Sequence, residues 1–219
     1  KRQVFACRGL YNGLALLADY ATGSYWDHVT GECLYGELKG HKVPIGNLHQ
    51  TTAAAALDAW PDAAIAISGR SMQFDQGPSM MRDEGPRQLM PFFVNTLGEE
   101  DIRRPRMELG LGIWTADESM YFPLDTLRAA GGFVLSRLGA RNVVVILEPV
   151  SRVPAAFYTE ATETHGHGDH LHFDNGHTYA NGIFHDAAGQ RVNPDRPLQL
   201  FTRWYGYSFT FPSSEIHPA

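Results

Sequence analysis

The sequence predicts a mainly β protein with short helices (α+β), built as two β-rich lobes joined by a long aperiodic crossing. Three observations carry this expectation. Apolar and aromatic residues alternate in short runs closed by glycine-containing turns, and only two brief segments carry helix start and stop signals. Residues 69–105 mix glycine, proline, methionine and charge without a period, over a length unusual for a connection inside one domain. The lobes are expected at 1–68 and 106–219.

Taken in order, the apolar run from Leu14 to Leu17 and the aromatic pair Tyr25 and Trp26 flank Asp19-Tyr-Ala-Thr22-Gly23-Ser24, which reads as a β-hairpin with Gly23 at positive φ. Thr30-Gly31-Glu32 is a second turn, leading into Cys33-Leu34-Tyr35, so the first 45 residues form a three- or four-strand meander. Thr51 and Thr52 offer N-caps to an alanine-rich helix that stops before Pro61. A strand over 64–68 follows. After the crossing, Met107 to Trp114 reads as a strand, and Pro123 to Gly131 as a short helix with proline at its start and glycine past its end. Val143 to Leu147 is the most buried-looking strand, and Ala155 to Tyr158 is another. The aromatics Trp204, Tyr205, Tyr207, Phe209 and Phe211 alternate as a closing strand would.

Composition narrows the function classes. With 43% hydrophobic residues the chain can fill a core, and with 18 basic against 24 acidic residues, net charge −6, it lacks the electrostatic footprint of a nucleic-acid binder. No apolar run approaches the roughly 20 residues of a membrane helix. The Lys-Arg-Gln start suggests a processed product whose address has been removed. Cys7 and Cys33 are compatible either with one disulfide or with free thiols in a reducing compartment.

One segment suggests chemistry. His165-Gly-His167-Gly-Asp169-His170-Leu-His172-Phe-Asp174-Asn-Gly-His177 holds five of the ten histidines within thirteen residues. In an extended backbone His-x-His puts both rings on one side, and the glycines let the chain bend back to bring further nitrogens together. The candidate ligands are His165, His167, His170, His172 and His177, with Asp169. Imidazoles with a carboxylate and no thiolate suit a transition metal ion, copper or zinc first, with iron, nickel and manganese also suited. The expected function is metal binding, serving a metal-dependent oxidoreductase or hydrolase. A solvated loop that binds metal adventitiously has the same composition. His185 is a further candidate as a fourth ligand or a supporting partner, and His28 as a cleft residue beside Trp26. His41, His49 and His217 are expected to face solvent.

The alternative is a non-catalytic binding or assembly subunit of a larger complex. Met72, Met80, Met81 and Met90 in the crossing need burial, and a protein partner or a second copy meeting residues 69–105 would provide it. Other chemistries find no motif. No serine sits between glycines as a hydrolase elbow requires, Gly110-Leu-Gly112 lacks the third glycine and following helix of a dinucleotide loop, and both cysteines fall within strands.

Gly9-Leu-Tyr11-Asn12, Asp19, Thr22-Gly23-Ser24, Trp26 and Gly36-Glu-Leu38-Lys-Gly40 resemble the signature of the domain-of-unknown-function 3179 family. Trp60-Pro61-Asp62, Arg103-Arg104-Pro105, Tyr121-Phe122-Pro123-Leu124 and the aromatic stretch from Phe201 to Pro212 follow in the family's order. The resemblance implies a β-rich architecture and an extracytoplasmic setting, periplasmic or secreted, and no known reaction. It further implies an upstream half with a Cys-Pro-x-Cys-like pair, which this sequence does not contain, and no counterpart of the histidine-rich segment.

Overall fold

Four strands, β1 (Phe5–Tyr11), β2 (Leu14–Asp19), β3 (Tyr25–Asp27) and β4 (Cys33–Tyr35), form an antiparallel meander in sequence order, as the turn pattern predicts. The computed structural model describes residues 4–48, 50–67 and 89–218. The β2–β3 turn is built on Asp19. Its carboxylate is 2% exposed and accepts from the backbone N–H of Ala21 (2.9 Å) and Thr22 (2.7 Å), the Thr22 hydroxyl (2.8 Å) and the Trp26 indole N–H (3.0 Å). Gly23 closes the turn at φ 67°. Asp19, Thr22, Gly23, Ser24 and Trp26 are therefore one hydrogen-bonded turn.

Those donors, Trp26 first and the Thr22 N–H next, hold the Asp19 carboxyl down at about 2, below its ordinary 3.8. A depressed folded-state value stabilises the fold above the unfolded value and loses that contribution as pH falls through the folded one. Asp19→Asn should therefore flatten the acid limb of the stability curve between roughly pH 4 and 2, and lower Tm at neutral pH by about 5–10 °C. Acid titration of both proteins by circular dichroism checks this; superimposable curves would contradict it.

Cys7, Leu17, Trp26 and Cys33 lie in one row across the meander, so two strands separate the cysteines. Three strand spacings are about 14 Å, twice the Cα separation a disulfide spans. Both are free, Cys33 buried and Cys7 exposed. His28 falls just past β3, exposed, with Nδ1 2.8 Å from the Ala15 carbonyl, and so does not share the buried face of Trp26.

Helix α1 (Ala53–Ala59) begins at Thr52, whose hydroxyl accepts from Ala55 N–H at 3.2 Å, and ends at Trp60 before Pro61. The strand expected over 64–68 is absent from 64–67, where Ile65 and Ile67 are exposed; Ser68 lies outside the described residues. Alternation marks a strand only where a neighbour completes its ladder. The expected crossing holds a short helix, α2 (Pro91–Val94), with proline in its first turn, and Met90 and Phe92 exposed beside it. Met72, Met80 and Met81 lie outside the described residues.

The remaining chain forms stacked layers. Strands β5 (Leu109–Trp114) and β6 (Ser119–Pro123) precede α3 (Leu124–Ala129), then β7 (Phe133–Leu138), β8 (Arg141–Leu147) and β9 (Pro154–Thr159). Next come β10 (Thr164–His167), β11 (His170–Phe173), β12 (Thr178–Ala180), β13 (Ile183–His185) and β14 (Arg191–Val192). Strand β15 (Leu198–Arg203), α4 (Trp204–Thr210) and β16 (Glu215–Ile216) close the chain. Three sheets result, ordered β15-β5-β6-β16, β7-β8-β9 and β10-β11-β12-β13-β14. The middle one is buried on both faces. Val143 and Val145 pack with Leu111, Ile113, Phe122 and Leu127, while Val144 and Ile146 pack with Leu171, Phe173, Tyr179 and Phe184. That two-sided burial is why β8 reads as an unbroken apolar run.

The aromatic C-terminus is a helix, not the expected strand. Trp204, Tyr207 and Phe211 recur at helical spacing, and these are the rings that join Trp114, Tyr121 and Val29 in the third core cluster, with Leu14 and Ile45 packed against it. The period-two series 205, 207, 209, 211 is real in the sequence, but Trp204 decides between the readings, being fully buried with its indole N–H donating to the Asp101 carbonyl at 2.8 Å. Tyr207 lies flat on β5. Its hydroxyl donates to the Ile113 (2.8 Å) and Met120 (3.1 Å) carbonyls, and a Cβ on Gly112 would sit 1.9 Å from its ring. Gly110-Leu-Gly112 is thus a seat for aromatic rings, Tyr121 covering Gly110 and Tyr207 covering Gly112. Burial raises both phenol pKa values.

Candidate functional site: a histidine-faced hairpin

The histidine-rich segment folds as the first hairpin of the outer sheet. Strand β10 runs to His167, Gly168 and Asp169 make a two-residue turn, and β11 returns antiparallel. The register sets His165 opposite His172 and His167 opposite His170. Directly opposed residues in an antiparallel pair share a face, and so do residues two apart on one strand. All four imidazoles therefore stand on one side of the hairpin, as a two-by-two array exposed to solvent. The other side is fixed. Leu171 and Phe173 alternate with the histidines and are buried in the second core cluster, so a one-residue slip would put histidine in the core.

Within the array, the His165 and His172 rings stack, centroids 5.6 Å apart and planes at 18°. At the tip, the Asp169 carboxylate lies 3.7 Å from His170 Nδ1 with both side chains more than half exposed. Asp174 is engaged elsewhere. Its carboxylate accepts from the Thr162 hydroxyl at 2.6 Å and from the Thr162 and Glu163 N–H groups, and these bonds, the Thr162 hydroxyl foremost, lower its pKa.

The structure brings together four of the five candidate histidines, with Asp169 at their edge. His177 is not among them. It precedes Thr178, which faces the array from β12, so by strand alternation it points the other way, into a cleft of about 200 Å³ that it shares with Arg141, Tyr158 and Asn175. His185 lies opposite Thr178, in the row that contains His165 and His172 but two strands beyond His172, a separation of about 10 Å. His217 is half-buried and stacks on Phe122 with centroids 4.9 Å apart, so the expectation that it faces solvent does not hold; His41 is exposed and His49 lies outside the described residues.

Among the described residues, no three His, Cys, Asp or Glu side chains converge on a common point as they stand. What the array offers is pairs, adjacent across the strands and along them. Rings on an exposed face change rotamer within nanoseconds. Among the described residues no helix is long and apolar enough to cross a membrane.

Among the described residues, four sheets, four short helices and a solvent-facing histidine array on an outer hairpin define a layered, mainly β protein, with 39% of those residues in strands and 12% in helices. The chain belongs to the family described as protein of unknown function DUF3179, whose model matches residues 2–213 and thus includes the histidine hairpin. No curated protein and no solved structure matches it.

Proposed function

We propose that this protein binds a transition metal ion on the β10–β11 hairpin through His165, His167, His170 and His172, with Asp169 as an additional donor. The observation that carries the reading is the register, which sets the four imidazoles in facing pairs on a scaffold anchored by Leu171 and Phe173. The donor set of imidazole and carboxylate suits copper or zinc, and iron, nickel or manganese after them. An ion held by two or three of these side chains keeps coordination positions for water or substrate, which suits metal-dependent hydrolysis or redox chemistry. An extracytoplasmic setting belongs to the same proposal; cell fractionation checks it.

Metal that binds the folded state alone stabilises it by mass action, about 2.7 kcal/mol at a hundredfold excess over Kd. Copper(II) or zinc at that excess should therefore raise Tm by about 5–10 °C, with EDTA reversing the shift. Thermal melts of protein purified without metal affinity check this. An unchanged Tm with copper, zinc, nickel, iron and manganese alike rules the proposal out.

A further inference from the structure

The tip of the histidine hairpin also forms one wall of a cleft of about 400 Å³, completed by the α3–β7 turn and the β8–β9 loop. Arg128, Arg152 and His167 line it, and Asp169 is the single carboxylate among its lining residues. In a chain of net charge −6, the lining carries two arginines against one carboxylate, with the Glu148 carboxylate held by the Val150 and Ser151 N–H groups at the base of the β8–β9 loop. Its two arginines differ. Arg128 pairs with Asp125 at 2.9 Å, but that carboxylate is 79% exposed and the pair is correspondingly weak. Among the described residues no carboxylate pairs with Arg152, which is held at φ 57° in the loop after β8. Backbone positions of this kind persist only where the surroundings over-determine them, and they gather at ligand sites. Gly132 and Gly168 bring the two backbone walls together, a Cβ on Gly132 falling 3.4 Å from Gly168 Cα.

The geometry points to an anion-binding cleft in which Arg128 and Arg152 hold the carboxylate or phosphate group of a small substrate beside His167. Guanidinium forks match both groups, which present two or more coplanar acceptors. His167 belongs to the cleft and to the histidine array, so a molecule anchored by its anionic end presents its remainder to the metal-binding face. That last step rests on the proposed metal site; the anion binding itself does not.

The test uses the full chain, treated with EDTA and kept at low ionic strength, titrated separately with inorganic phosphate and with oxalate while the histidine ring resonances are followed by NMR. Saturable movement of the His167 signal is expected, with the His28 signal unmoved, and the stronger-binding anion assigns the group. Arg152→Gln and Arg128→Gln should each weaken binding at least tenfold, and Arg137→Gln, on the exposed edge of β7, should not. Arg152→Asn, which tolerates positive φ, is expected to lose binding equally, separating loss of charge from loss of loop shape. No saturable binding of either anion, or an equal loss in Arg137→Gln, overturns the site. Because the protein is metal-free, this outcome and that of the metal melts are independent.

Discussion

Replacing Gly112 by alanine is expected to cost about 3 kcal/mol or more, among the largest effects of any single methyl group in the protein. The added Cβ would lie 1.9 Å from the Tyr207 ring, far inside contact distance. Tyr207 cannot retreat cheaply: it is fully buried and its hydroxyl is bonded to the Ile113 and Met120 carbonyls. Moving the ring would strand a buried hydroxyl, and moving β5 would disturb its ladders to β6 and β15. Urea unfolding of Gly112→Ala against wild type measures the loss. Tyr207→Leu together with Gly112→Ala should recover part of it, because the clash and the hydroxyl are removed together. A loss below about 1 kcal/mol would mean that α4 is free to shift away from β5.

The second large effect falls on metal affinity. If the four imidazoles act as one array, His172→Ala and His170→Ala should each weaken binding by at least the 10–100-fold that loss of a supporting residue alone can cost, while Tm without metal stays unchanged, since both side chains project into solvent. His41→Ala is the control, as His217 packs on Phe122 and its loss would disturb the fold. Isothermal titration with copper(II) or zinc reads the affinities. A loss at only one member of the facing pairs would reduce the site to two histidines, and no loss at either would remove the assignment.

Much of this fold was legible in the sequence wherever the signal was local. The Asp19–Ser24 hairpin, the Thr52 cap, the Pro123 helix start and the buried β8 run each rest on neighbours within about ten residues. The failures came where distant partners decide. Residues 64–67 alternate like a strand but pair with no strand among the described residues, and 204–211 alternate like a strand but pack as a helix because Trp204, Tyr207 and Phe211 find Trp114 and Tyr121 from almost a hundred residues away. The site divided in the same way. His170 and His172 follow from spacing alone, whereas the pairing with His165 and His167 depends on where the turn falls, which Gly168-Asp169 marks only faintly. Proximity along the chain groups His177 with the other four histidines, whereas strand parity counted from Thr178 sets it on the opposite side.

The histidine hairpin belongs to the outermost layer, its apolar face resting on the rest through Leu171, Phe173, Tyr179 and Phe184, whereas β8 is enclosed from both sides. Amide hydrogens in such an arrangement exchange by different routes. Those of β8 are expected to exchange only on global unfolding, and those of β10 and β11 when the outer leaf alone peels away, at a smaller free energy. A ligand held by the leaf would act as a latch on one cooperative unit, and its presence would be registered as slowed exchange in the hairpin before any change reached the centre of the molecule.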